Sequence, residues 1–551
     1  MKKLLSFFLW LGACNAAMAQ QTRQQLLRTI IEDVNLPGVQ VAYTGKGQTS
    51  EYNAGTSKQG LSRKIKSSTI FRAGSLGKCV FAYAVLRLYD RGVLSLDTPL
   101  MRYIGSYDRF DPTDPRYSMI TARMVLSHTS DLAEFSEFDT HAPVKLLFAP
   151  GSAYSYSGEG YWFLQKVVEK LVHKLFEQLM QEEVFNPLGM HSSTYVQTDD
   201  MDTEMLGKPG KDLLWMMPNA AFTLLSNAHD YNLFLQALLA GKGLKPGTQQ
   251  LMFSRQTKHK APGDTTSGQY INWGLGVGLA QGKTGQLIWH WGKTDDFFSF
   301  FVARPDTKES MVFFTRGESG SKITDQLIET FLGKQTAFTI RQLHFGYDHP
   351  ETMPQLYSAL RKQGFGDVPG IFNRMKSKGY EFSERDINSY GKVLLQQKRY
   401  TDAREIFKQQ AVLYPQSSNA YASFAEAREA AGDHKLALKS YQRSVKLDST
   451  NEAAMYHIQS LQNPDFTADR LKAFTGKFSQ AGKPELFLQL TAKENRLILT
   501  QSWDGGTLIF FRIATLEFYN AETTFKLRFE KDEQGNIKKA FVAGNVAWVK
   551  E

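Results

Sequence analysis

The sequence predicts an α/β (α+β) protein in which an antiparallel sheet is flanked by helices, followed by α-helical repeats and a small C-terminal β domain. Three observations carry that expectation. Between about Leu36 and Gln335, short β-like runs such as GVQVAYTG and SMVFFTRG enclose amphipathic helical stretches, the pattern of helices packed on a sheet. From Glu381 to Gln462, Ala403 and Ala437, Phe407 and Tyr441, and Leu413 and Leu447 pair at one offset of 34 residues, as in tetratricopeptide-like helix pairs. Beyond Asn463, ELFLQLTAKENRLILTQ and TTFKLRFEKDEQGNIKKAFVAG alternate apolar and polar positions around an Asp-Glu-Gln-Gly turn signal, which reads as a small antiparallel sheet or barrel.

The 551 residues, 42% of them apolar, exceed one ordinary core, so two to four domains are expected. Their boundaries fall at 1–19, 20–335, 336–380 (a connecting helical segment), 381–462 and 463–551. The first segment, MKKLLSFFLWLGACNAAMAQ, has two lysines, a short apolar run and a small-x-small step at Ala17-Met18-Ala19, the layout of a secretory signal cleaved after Ala19. Periplasmic or secreted location follows. Leu11-Gly12-Ala13-Cys14 also resembles a bacterial lipobox, so a lipid anchor on Cys14 is the alternative. The apolar run is too short to span a bilayer, and no transmembrane anchor is expected. After cleavage at Ala19 only Cys79 remains, which excludes an internal disulfide and a thiolate zinc site.

The net charge of +10 falls to +8 without Lys2 and Lys3. No arginine-rich tract or aromatic-basic repeat accompanies it, so the charge reads as a solvated surface and not as a nucleic-acid site. No His/Asp/Glu cluster has metal-ligand spacing. Gly282-Lys283-Thr284 fails as a phosphate loop because Val277 stands where its first glycine belongs. No cofactor is implied.

Chemistry concentrates in FRAGSLGKCVFAYAVLRLYDRG, Phe71 to Gly92. Ser75 and Lys78 are spaced i, i+3 where an apolar helix begins, so both side chains project to one face. An amine beside a hydroxyl makes a nucleophile. Burial and the positive end of the helix dipole both favour the neutral amine, and the helix-start N–H groups can hold an oxyanion.

FRAGSLGK is followed in order by ITARMVLSHTSDL, FAPGSAYSYSGEGYWFLQKVVEKL, FNPLGMHSSTY and LIWHWGKTDDFFSFF. These blocks resemble the serine β-lactamase and penicillin-binding-protein-like hydrolases, class C branch, over roughly the first 335 residues. The resemblance implies a β-lactamase/transpeptidase-like domain. It makes Ser75 the nucleophile, Lys78 its proton-accepting partner and Tyr156 the residue that shuttles a proton to the leaving group, and a phenol pKa lowered towards the working range is expected for that task. His128, in LSHTSDL, is expected to orient the loop near the cleft.

Two stretches compete for the third motif. Lys283-Thr284-Gly285 has the usual family spelling, whereas His290-Trp291-Gly292 has the better context: GLGVGLAQGKTGQLIWHWG reads as strand, polar turn, strand, with Lys283 in the turn. The motif lines the cleft from a strand, so His290-Trp291-Gly292 is the reading taken. Lys293 then lends its backbone N–H, with that of Ser75, to the oxyanion hole. Two departures stand out: Gly158 where β-lactamases carry asparagine, and Asp131 where SHTSGL has glycine. The first weakens the case for β-lactam turnover.

The expected function is a secreted serine hydrolase acting through an acyl-enzyme on esters or amides, as an esterase, D-amino-acid peptidase or cell-wall carboxypeptidase would. Its partners are small ester, peptide or cell-wall-derived substrates, with the helical repeats open to a protein partner. The alternatives are a catalytically weak binding protein on the same fold and a true class C-like β-lactamase.

Overall fold

The computed structural model describes residues 21–57, 63–134, 144–199, 201–206, 217–257, 272–282, 285–294, 296–333, 347–349, 351–462, 471–480, 482–493, 496–503, 505–520, 523, 525–542 and 546–551. Residues 1–20, on which the expectations of a signal and of a lipid anchor at Cys14 fall, and the pair Lys283-Thr284 lie outside these residues. The chain divides into two compact units, Met1–Pro354 and Gln355–Glu551.

The first unit is built on strands β1 (Gly38–Gly45), β2 (Gln48–Gly55), β3 (Phe71–Arg72), β4 (Leu225–Ser226), β5 (Asn272–Trp273), β6 (Gly278–Gly282), β7 (Gly285–Lys293), β8 (Phe297–Ala303) and β9 (Ser310–Arg316). Among the described residues, seven of them form one sheet in the order β2-β1-β9-β8-β7-β6-β5, while β3 and β4 pair separately. Every neighbouring pair in the large sheet is antiparallel. The β1–β2 turn is Lys46-Gly47, with φ of 51° and 74°, the two left-handed residues of a type I′ hairpin. Strand β8, FFSFFVA, is buried at every position, as befits a central strand covered on both faces.

Alternation along β1 shows which helices cover which face. On one side Gln40 accepts the Ala228 N–H (2.5 Å) and Thr44 donates to Asn232 Oδ1 (3.1 Å), so helix Ala228–Leu239 lies there. On the other, Tyr43 and Tyr52 pack their rings on Phe331 at 5.7 and 5.0 Å, placing helix Thr324–Leu332 on the opposite face. Helix α1, Leu76–Asp90, lies on the first side and is buried over most of its length. Its opening turn is held by Tyr231 and Tyr195, whose hydroxyls donate to the carbonyls of Leu76 (3.0 Å) and Gly77 (2.9 Å).

The second unit begins with helices and ends in a barrel. Helices Glu384–Gln396 and Tyr400–Leu413 form a hairpin that recurs as Ser418–Ala430 and His434–Leu447, at the offset the sequence carries; their tetratricopeptide identity stays an expectation. Gly391 explains one close contact, since a Cβ there would stand 2.3 Å from the Phe407 ring. Among the described residues, eight antiparallel strands from Gly476–Gln480 to Ala547–Lys550 then form a closed barrel. Closure comes from pairing of the first and last strands, Phe478 facing Lys550 and Gln480 facing Trp548. Leu488, Leu490, Leu497, Leu499, Phe510 and Phe518 belong to its core. Among the described residues no helix is long and apolar enough to cross a membrane.

Candidate active site

Strand β3 delivers the chain to Ala73-Gly74-Ser75. Gly74 has φ +53°, a left-handed conformation that glycine adopts without strain, and Ser75 follows as the residue before α1. Strand β7 crosses close by: a Cβ on Gly292 would stand 1.9 Å from the Ala73 carbonyl oxygen and 2.5 Å from Ser299 Oγ. Only glycine permits that approach. It sets the Lys293 amide nitrogen beside Gly74, 3.0 Å from where a Cβ on that residue would be. The Ala73 carbonyl is fixed in turn by the Ser299 hydroxyl, which donates to it at 2.8 Å.

One turn into α1, Lys78 is fully buried. Its ammonium nitrogen lies 3.0 Å from Ser75 Oγ and donates to the Ala221 carbonyl at 2.8 Å. It sits 4.9 Å from the centre of the Tyr156 ring and 5.7 Å from that of Tyr161. Burial pulls its pKa down from 10.5 to about 7, against a smaller upward pull from the Glu134 carboxylate. Half-deprotonated near neutrality, the amine can take the serine proton.

Tyr156 is half-buried among other rings with its hydroxyl oxygen covered, stacked on His128 at 4.3 Å and tilted 30° against Trp291 at 5.0 Å. The expectation of a lowered phenol pKa is corrected here: burial drives it well above 10, outweighing the downward pull of the Ser75 hydroxyl. The phenol oxygen is buried and has no hydrogen-bond partner among the described residues. Tyr156 is therefore a neutral phenol that can hand over a proton and be refilled, not a phenolate base. Tyr154, two residues earlier, has its ring 6.1 Å from His128 and 6.0 Å from Trp273.

His128 orients this loop. Its Nδ1 accepts the Ser157 N–H at 3.0 Å, so the ring proton sits on Nε2. Gly158, at the start of helix Glu159–Val172, donates its N–H to the Glu134 carbonyl at 2.9 Å and offers no side chain. Asp131 has φ +63°; the family's glycine suits that conformation, and aspartate is among the few residues that tolerate it. Its carboxylate accepts the Phe148 N–H at 2.5 Å.

His290, Trp291 and Gly292 all lie on β7. The His290 ring is fully buried and its Nδ1 donates to the Trp291 carbonyl at 2.7 Å, which leaves Nε2 a bare acceptor. Burial, and then the charge of Lys78, lower its pKa from 6.5 to about 3. At neutral pH it contributes no cation where K-T-G would place one. Gly285, by contrast, stands at the other end of β7, opposite Gly282, where a Cβ would meet Asp306 of the β8–β9 turn at 3.0 Å.

Ser75, Lys78, Tyr156, His290 and Gly292 thus come together from three separate stretches of chain, with Lys293 at the edge. The sequence reading missed the Ala221 carbonyl, which lies outside every motif, and Glu134, which stands three residues beyond Asp131. It also missed Trp273, whose ring lies 5.0 Å from His128 and 5.3 Å from His290. A hydroxyl, a neutral amine, a protonated phenol and nearby backbone N–H groups are the components of acyl transfer through a serine.

Comparison with known proteins points the same way. The family model described as Beta-lactamase matches residues 23–329. Penicillin-binding protein 4 of Amycolatopsis lactamdurans is 25% identical over 343 residues, covering 57% of this chain and 89% of that protein. Esterase EstB of Burkholderia gladioli is 29% identical over 163 residues, 25% of this chain and 41% of its own. A solved class C beta-lactamase covers 54% of this chain and 91% of its own at 19% identity, with a TM-score of 0.45. With a family match over more than half of its length and this cluster within the matched span, the chain belongs to the Beta-lactamase family of serine hydrolases.

Proposed function

We propose that this chain hydrolyses esters or amides through an acyl-enzyme on Ser75. The observation that carries the reading is the fully buried Lys78 amine 3.0 Å from the Ser75 hydroxyl. Neutral Lys78 takes the Ser75 proton as Oγ attacks the carbonyl carbon, and the developing oxyanion meets the backbone N–H groups of Ser75 and Lys293. As the bond to the leaving group breaks, the Tyr156 hydroxyl gives that group its proton and regains one from the Lys78 ammonium. Water then attacks the acyl carbon and gives its proton to the same amine, and the ammonium passes that proton to Ser75 Oγ as the acyl–oxygen bond breaks, restoring both groups. A raised phenol pKa suits Tyr156 to this task, because it must carry a proton at the moment of departure.

Esterase or D-amino-acid peptidase chemistry fits better than β-lactam turnover. Gly158 has no side-chain amide to hold an acylamide substrate, and a simple ester needs none. Support for the ester reading also comes from the relative named an esterase. Export through the signal at Met1 to Ala19, and a protein partner on the helical hairpins, belong to the same proposal. A fluorescent phosphonate should label the wild-type protein covalently and leave Ser75→Ala unlabelled. Labelling of the variant at another serine, or none of the wild type, would overturn the reading and favour a binding protein on this fold.

A further inference from the structure

One carboxylate beside the reacting groups takes no part in acyl transfer. Glu134 follows the LSHTSDL loop, and its backbone runs along the segment that carries Tyr156. The Glu134 carbonyl accepts the Gly158 N–H at 2.9 Å, and the Ala133 carbonyl accepts the Ser157 hydroxyl at 3.0 Å and the Glu159 N–H at 3.3 Å. Three hydrogen bonds therefore fix Ala133-Glu134 against the residues that follow Tyr156. The Glu134 side chain is exposed and, among the described residues, meets no cation at ion-pair distance and accepts no hydrogen bond. Glu159, the neighbouring carboxylate, is by contrast buried and paired with Arg109 at 2.8 Å.

The Glu134 charge acts on the cluster itself. It raises the pKa of Lys78, Tyr154 and Tyr156 together, and a carboxylate turned away into bulk water would be screened from all three. The other groups here are neutral when the amine is ready to react. Lys78 has lost its proton, Tyr156 keeps its own, and burial holds His128 and His290 uncharged. Glu134 is thus the charge an acyl group meets on the Gly158 side, where glycine supplies no polar side chain of its own.

We propose that Glu134 is a specificity-determining residue of this site, selecting substrates whose acyl part carries a positive charge, such as an ammonium group, over neutral ones of the same shape. The inference rests on the hydrolase reading above and narrows its substrate class. An exposed ion pair sets the size of the effect, a preference of about fivefold at low ionic strength.

Two p-nitrophenyl esters test it, one ending its acyl chain in a trimethylammonium group and the other in the uncharged tert-butyl isostere. Each rate is divided by that ester's rate with imidazole, a neutral nucleophile. At pH 8 in low salt, wild-type kcat/KM should favour the cationic ester about fivefold, the difference lying mainly in KM. The ratio should fall close to one in Glu134→Gln and invert in Glu134→Lys. Both esters meet the same enzyme, so any change in Lys78 protonation cancels from it. Salt gives a reading that needs no variant: about 0.5 M NaCl should bring the wild-type ratio down towards one. A wild-type ratio near one in low salt, a ratio insensitive to salt, or one unchanged in Glu134→Gln would overturn the cation site while leaving the hydrolase standing. Hydrolysis of neither ester would overturn both.

Discussion

Replacing Lys78 by methionine should stabilise the protein while abolishing its activity. Methionine fills a similar volume without a charge, so the change removes the buried amine and keeps the packing. Lowering the Lys78 pKa from 10.5 to about 7 corresponds to about 5 kcal/mol of penalty on the ammonium in the folded state. Against this stand the hydrogen bonds to Ser75 and Ala221, each contributing ~1 kcal/mol, with the Ala221 carbonyl left unpaired in the variant. A net gain of about 2 to 3 kcal/mol remains below pH 7. Between pH 7 and 10.5 the unfolded lysine holds a proton that the folded one has released, so wild-type stability rises with pH across that window. The variant has no such term. Its advantage should shrink as pH rises from 7 and reverse by pH 10.5, where only the lost hydrogen bonds count. Urea unfolding of both proteins at pH 6, 8 and 10, followed through the transition of the first compact unit, measures the difference. A gap that does not change with pH would refute the neutral amine and the base role built on it.

Three further outcomes follow from the same geometry. The acid limb of the kcat/KM profile should rise through about pH 7, because the neutral form of Lys78 is the active one. Glu134→Gln should move that limb to lower pH, since its carboxylate holds the lysine pKa up; a shift to higher pH would contradict the arrangement. Gly292→Ala should cut ester hydrolysis by ~10² or more, because a Cβ 1.9 Å from the Ala73 carbonyl must push β7 or the approach to Ser75 aside, and activity within a few-fold of wild type would exclude the close crossing.

Much of the cluster was legible because its parts obey local rules. The spacing of Ser75 and Lys78 fixes their shared helix face, and the strand-turn-strand pattern around Lys283 separates His290-Trp291-Gly292 from its better-spelled rival. Protonation was not legible. Tyr156 carries a proton because of burial under His128 and Trp291, rings that arrive from distant chain positions, and the same is true of the His290 tautomer. Ala221 contributes only a carbonyl, so its side chain gives no sign of the role. In the fold, the alternation after Asn463 reveals strands but not closure, which depends on Phe478 meeting Lys550 across the whole domain. Asp131 is a middle case: its departure from glycine was visible, while the left-handed backbone that accounts for both residues was not.

The pairing of β1 with β9 joins Gly38–Gly45 to Ser310–Arg316, so the sheet's second strand finds its inner neighbour only after some 265 intervening residues have been made. Until then the β1–β2 hairpin waits with an open edge, a template for pairing with other chains. Contacts of such sequence separation slow folding, and a chain emerging N-terminus first has the Ser75–Lys78 helix long before the sheet that must support it. Strand β7, which brings Gly292 over Ala73, precedes β9 by only two strands. The nucleophile therefore becomes competent near the end of folding, and early intermediates of this protein should be both inactive and prone to aggregate.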